Sequence, residues 1–169
     1  TKVRKILAAK AWVGLNKYQP IVLDNLIADL NSYEMDIYNR ITAEESITCL
    51  FNKKDIIPIK DLTKNIAILS IGIDEAVKFY DMVQNYTNTT FIKFPQNATI
   101  VQTDSIMRLL DNYDIVIASI HLTDIRSARN YGITPIYQTL IGRLVKKEHV
   151  VINLLANIFI LNKIPELQE

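Results

Sequence analysis

The chain has 169 residues, 49% of them hydrophobic, with a formal net charge of +1, one cysteine and two histidines. A core can be buried in a chain of this size, and there is room for one domain with an appended arm. The charge gives no basic stripe for nucleic acid or an anionic membrane, and Cys49, His121 and His149 are too few for a disulfide framework or a His/Cys metal cluster.

The opening segment, "TKVRKILAAKAWVGL", is rich in helix formers, with Val3, Ile6, Leu7, Ala11 and Leu15 at three- and four-residue spacing. Gly14 and Asn16 stand where such a helix would stop. Trp12 is expected to pack rather than to stack on a ligand. "NKYQPIV" reads as a loop, "LDNLIADLN" as a short helix, and residues 34–50 as a longer one that carries Cys49, expected as a buried, inert thiol. No strand pattern separates these helices, so residues 1–60 are expected to form a helical arm, with apolar surface that leaves self-association open.

After Pro58 the pattern becomes alternating strand and helix. Strands are expected at 66–71, 89–94, 115–120 and 150–155, mostly unbroken apolar runs of the kind buried on both faces of a parallel sheet. Between them lie three expected helices. "IDEAVKFYDMVQNY" would be capped by Asp74, "TDSIMRLLDNY" by Thr103 or Asp104, and "TPIYQTLIGRLVKKE" has Pro135 in its first turn. This alternation implies right-handed βαβ units, and the expected architecture is an α/β, flavodoxin/Rossmann-like three-layer sandwich over residues 61–169 with strand order 2-1-3-4. The run "HVVINLLANIFILNKI" is shorter than the ~20 residues that span a bilayer and contains Asn153 and Asn157, so no membrane span is expected. Three N-x-S/T sequons (Asn85, Asn88, Asn97) lie in Asn/Thr-rich stretches where such triplets arise by chance.

Parallel sheets place their chemistry at the carboxyl ends of the strands. The loop after the first strand, "SIGIDEAV", has one glycine where a dinucleotide cradle needs several, so Gly72 reads as a turn residue and no cofactor is expected. A receiver-type module would need paired acids there, and only Asp74 and Glu75 are near. The loop after the third strand, "HLTDIRSARNYGI" (His121–Ile133), holds His121, Asp124, Arg126 and Arg129. His121 with Asp124 would make an acid/base pair and Ser127 a nucleophile, yet no Gly-x-Ser-x-Gly elbow surrounds that serine. The plainer reading is a loop that binds by hydrogen bonds or orients a neighbouring domain. His149 is expected to be exposed at the start of the fourth strand.

In order along the chain occur "KILAAKAWVGLNKYQP", "ADLNS", "AEESITCLFNKKDIIPIK", "NYDIVIASIH", "NYGITP" and "LLANIFILNKI". This succession resembles the linker and carboxyl-terminal α/β domain of glycoside hydrolase family 3, in its bacterial β-N-acetylglucosaminidase-like branch. "ESITCLFNKKDIIPIK" is its most specific piece. The resemblance covers nearly the whole chain and implies a parent hydrolase, a retaining glycosidase whose nucleophile lies in a (β/α)8-type barrel that precedes this segment. Many members supply a glutamate acid/base from the loop after the third strand. Here that loop has no glutamate, which fits the branch that takes its acid/base from a barrel His–Asp pair. The chain departs from the family after the last strand, reading Ala156-Asn157-Ile158 where a small residue, Asn and Pro are usual. The resemblance implies a truncated, non-catalytic piece of a periplasmic or secreted bacterial enzyme acting on carbohydrate, with His121, Asp124, Arg126 and Arg129 bordering the sugar. The alternative is an independent flavodoxin-like module that binds a small ligand.

Overall fold

In a computed structural model describing residues 1–52, 55–73 and 78–168, the chain divides into two compact units, Thr1–Leu50 and Phe51–Glu169. The first is helical. Helix α1 (Lys2–Trp12) stops as Gly14 enters the left-handed region at φ 81°, a conformation glycine adopts without a Cβ penalty. Helix α2 (Leu26–Leu30) is short, and α3 (Tyr33–Ser46) starts on Ser32, whose side chain accepts a hydrogen bond from the backbone N–H of Met35, with Glu34 and Asp36 in the first turn.

None of these helices buries a residue. Trp12, expected to pack, is 87% exposed. Helix α3 also ends four residues early. Ile47 takes an extended ψ of 122° after the Ser46 hydroxyl turns back to the carbonyl of Ala43, a local bond that competes with continuing the helix. Cys49 therefore lies beyond the helix and exposed, not buried.

The second unit carries the expected parallel sheet. Strands β1 (Ile66–Ile71), β2 (Thr89–Phe94), β3 (Ile115–Leu122) and β4 (Val150–Ala156) lie in the order β2-β1-β3-β4, all neighbours parallel. All six residues of β1 are buried, which is why its sequence does not alternate. One face packs Ala67, Leu69, Ile71, Phe94, Val116, Ala118 and Ile120 against Met107 and Leu110 of α5 (Ile100–Leu110) and Tyr137, Leu140, Ile141 and Leu144 of α6 (Pro135–Leu144). The other packs Ile66, Ile68, Ile115 and Ile117 against Phe79, Tyr80 and Val83 of α4 (Lys78–Gln84). Helices thus cover both faces, and the three-layer expectation holds.

The caps differ from the sequence reading at one helix. Helix α5 begins at Ile100, where Thr99 and Gln102 form a capping box: the Gln102 N–H donates to the Thr99 hydroxyl at 3.2 Å and the Thr99 N–H to the Gln102 side chain at 2.8 Å. Thr103, one expected cap, is buried one turn inside with its hydroxyl bonded to the Thr99 carbonyl. The other expected cap, Asp104, sits inside the helix and pairs with Arg143 of α6 at 2.7 Å. At α6, Thr134 caps and Pro135 occupies the first turn as expected, though the helix stops at Leu144. The expected cap Asp74, with Glu75, lies outside the described residues.

After β4, Asn157 caps the 3-10 segment Ile158–Lys163, its side chain accepting from the Phe159 N–H at 3.0 Å, so the turn forms without a proline. Ile160 and Ile164 from this segment are buried against the α5/α6 face.

Candidate functional site at the carboxyl end of the sheet

Two loops meet at the carboxyl end of the sheet. Gly72 follows β1 at φ +95°, and a Cβ there would stand 2.1 Å from the backbone oxygen of His121. Only glycine lets the β1 turn approach β3 this closely. The expected turn residue is thus also a spacer between these strands.

Strand β3 runs two residues beyond its expected end, so His121 stands on the strand and not in the loop. Its Nε2 lies 2.8 Å from the hydroxyl of Ser119, two residues back on the same face, and partial burial pushes its pKa below the usual value by disfavouring the charged ring. The loop proper is organised around Asp124. Arg126 Nε and Nη2 donate to its two oxygens at 2.8 Å each, the Arg126 backbone N–H donates at 3.0 Å, and Arg129 Nη1 is 3.8 Å away. The Arg126 hydrogen bonds hold the Asp124 carboxyl at about 2, below the ordinary 3.8. Asp124 is therefore an ionised clamp at neutral pH. It is not the partner of His121, whose hydrogen bond goes to Ser119, and the acid/base pair considered from sequence is not formed.

The loop then passes through Asn130 (φ 48°), Tyr131 (φ 55°) and Gly132 (φ 80°), successive left-handed residues that reverse the chain before Ile133 anchors in the core. A non-glycine residue there costs of order 1–3 kcal/mol and persists where its surroundings fix it. Tyr131 is held by a hydrogen bond from its N–H to the Arg126 carbonyl at 3.1 Å and by stacking on Phe159 at 6.3 Å. Ser127 is exposed, and among the described residues no hydrogen bond links it to His121 or Asp124. It has no base and is not an activated nucleophile. His149, expected to be exposed, is half-buried, its Nε2 3.3 Å from the last carbonyl of α5, that of Leu110.

Sequence reasoning missed a row of polar residues on the α4 face of the sheet. Strand register sets Lys93, Ser70, Ser119 and Asn153 side by side across β2, β1, β3 and β4. Asn153 Nδ2 donates to the Ser119 hydroxyl at 3.3 Å, which in turn meets His121. Ser70 and Ser119 are both 0% exposed, yet only Ser119 is satisfied; among the described residues the Ser70 hydroxyl has no hydrogen-bond partner. The signal in the sequence is a single polar residue near the end of each apolar run. Its meaning depends on register, which no single strand reveals.

No protein-family model matches the chain, and no curated protein matches it. Among solved structures, the chain is similar to a glycoside hydrolase family 3 β-N-acetylglucosaminidase from Paenibacillus sp. str. FPU-7, with a TM-score of 0.60 and 17% identity over 97% of this chain. That likeness establishes the fold. The chain spans 32% of the length of the Paenibacillus enzyme. Among the described residues no helix is long and apolar enough to cross a membrane, and no group of three or more His, Cys, Asp and Glu side chains could hold a metal ion.

Proposed function

We propose that the chain is the carboxyl-terminal, non-catalytic part of a family 3 glycosidase of the β-N-acetylglucosaminidase or β-glucosidase type. In this reading it braces a (β/α)8 barrel and borders the sugar site with the loop that carries Asp124, Arg126 and Arg129, beside His121. The observation that carries the proposal is the state of Asp124. Retaining hydrolysis needs a nucleophile and an acid/base, most often two carboxyl groups about 5–5.5 Å apart, and the acid must be able to give up a proton near neutral pH. The loop has one carboxylate, it is tied to two arginines, and it is ionised throughout the working range. Such a loop can position or recognise; it cannot act as the acid.

The likeness in fold to a much longer family 3 enzyme supports the same reading. So do the exposed apolar side chains of residues 1–50, among them Val3, Ile6, Leu7 and Trp12, which we assign to contact with the barrel. Export of the parent to the periplasm or medium belongs to the same proposal. The test is the gene itself, read upstream of the Thr1 codon. An open frame encoding a (β/α)8 barrel with an aspartate nucleophile is the expected result; an in-frame stop or an unrelated domain there overturns the proposal.

A further inference from the structure

The two edges of the sheet are unlike. Strand β2 carries the exposed Lys93 and is followed by Pro95, and Gln84 Nε2 donates to its Thr89 carbonyl at 2.9 Å. Charge, proline and a covering side chain are means by which proteins keep an edge from pairing with another chain. Strand β4, at the other edge, reads Val-Val-Ile-Asn-Leu-Leu-Ala over its seven residues, without charge, proline or glycine. None of the seven is buried, whereas all six residues of β1 are.

Backbone geometry fixes what this edge offers. The Val116 N–H donates to the His149 carbonyl at 2.9 Å, and Val116 pairs in register with Val150. In a parallel ladder a residue bonds to the two neighbours of its register mate, so Val151, Asn153 and Leu155 turn their peptide groups to β3. Val150, Ile152, Leu154 and Ala156 turn theirs outward, and among the described residues no hydrogen bond reaches those groups. Such a row of unpaired N–H groups and carbonyls fits another strand.

The sequence of β4 favours a particular strand, its own copy. It is self-complementary about Asn153: read antiparallel against itself, Val150 meets Ala156, Val151 meets Leu155, Ile152 meets Leu154, and Asn153 meets Asn153. The backbone alternation agrees. The pairs 150–156 and 152–154 join outward-turned residues, and each exchanges two backbone hydrogen bonds. The pairs 151–155 and 153–153 fall at the non-hydrogen-bonded positions, where side chains come closest. Sliding the partner by two residues sets the Asn153 amide against Val151 or Leu155 and leaves a polar group without a partner, so the one polar residue fixes the register. Its amide carries two donor hydrogens, enough for the Ser119 hydroxyl, to which Nδ2 donates at 3.3 Å, and for the facing amide.

We propose that β4 is the interface between two copies of this chain, paired antiparallel about a two-fold axis at Asn153, so that two four-stranded sheets become one continuous sheet. The contact is isologous and leaves only the protected β2 edges outside, so assembly closes at two. A single strand pair buries less than the ~1,200 Å² of a standard interface, and the dissociation constant is on the order of 10 μM. The interface does not involve the exposed side chains of residues 1–50, and it stands whether or not the parent is a glycosidase.

The test uses the full 169-residue chain, labelled with 15N, at about 20 μM and about 1 mM, which bracket that dissociation constant. Light scattering is expected to show a mass approaching twice 19.4 kDa at the higher concentration. Protection of the Val150, Ile152, Leu154 and Ala156 amides against hydrogen exchange is expected to rise about fivefold between the two, and that of Val151, Asn153 and Leu155 much less. Asn153→Asp and Asn153→Lys each set like charges face to face across the axis. Each alone is expected to stay monomeric at about 1 mM and their equimolar mixture to recover the doubled mass. Circular dichroism shows that each variant folds, and the amide measurement on the original chain stands without them. A single-chain mass at about 1 mM overturns the proposal. So does a doubled mass without protection of the four outward amides, which association through residues 1–50 would give. Folded variants that dimerise alone, or that fail to recover on mixing, overturn it as well. None of these results bears on the reading frame upstream of Thr1.

Discussion

Replacing Ser70 by alanine should stabilise the second unit. The Ser70 side chain is 0% exposed and its hydroxyl is unpaired, whereas its register neighbour Ser119, equally buried, is bonded to both His121 and Asn153. A buried hydroxyl without a partner costs about 1–3 kcal/mol relative to its hydrated state. Removing one oxygen leaves a void smaller than a methyl group, and alanine is a slightly poorer strand residue than its neighbours, which together return a few tenths of a kcal/mol. The net expectation is a gain of about 1 kcal/mol, or about 3–5 °C in the thermal midpoint for a unit of this size. Ser119→Ala makes the matched control: it strands His121 and Asn153 and should lose about 1–2 kcal/mol. The assay is urea unfolding followed by far-UV circular dichroism, because the only tryptophan, Trp12, is exposed in the other unit and does not report on the sheet. A Ser70→Ala chain less stable than the original, or a Ser119→Ala chain as stable as Ser70→Ala, would refute the assignment of an unpaired hydroxyl.

Gly72→Ala should destabilise by at least about 2 kcal/mol, because φ +95° strains any L-residue and the new Cβ meets the His121 carbonyl at 2.1 Å; chemical denaturation of the variant checks this. Asp124 has a pKa of about 2 when folded against an ordinary 3.8, so its clamp stabilises the loop above the ordinary value and is lost as pH falls through the folded one. Between about pH 4 and about pH 2, the protection of amides in residues 123–133, relative to their intrinsic exchange rates, should therefore fall more in the original chain than in Asp124→Asn, in which the clamp is already weakened at every pH; parallel protection profiles would count against that clamp.

Much of the fold was legible because it rests on local pattern. The unbroken apolar runs at 66–71 and 115–120 signal strands buried on both faces, and the helices between them require parallel pairing and a right-handed order. The errors come from competition between neighbouring signals. Thr99 with Gln102 outcompetes Thr103 as a cap because the reciprocal box satisfies two backbone donors at once. His121 and Leu122 extend β3 because they pair with Leu155 and Ala156 of β4, a contact invisible in "HLTDIRSARNYGI". The same non-locality hides the candidate site. His121 and Asp124 are close in sequence and look like partners. Yet β3 aims the histidine at Ser119, and the turn gives the aspartate to Arg126. Cys49 was expected to be buried and Trp12 to pack, both on the strength of their apolar character, and the first unit buries none of its helical residues.

Whether this chain catalyses anything by itself is settled by assaying the purified protein on aryl N-acetyl-β-glucosaminides and aryl β-glucosides. With one clamped carboxylate in the loop and a serine without a base, release of the aryl alcohol should not exceed the uncatalysed rate. Turnover above that rate which disappears when His121→Ala and Asp124→Asn are combined would contradict the non-catalytic reading and place a complete active site in this chain.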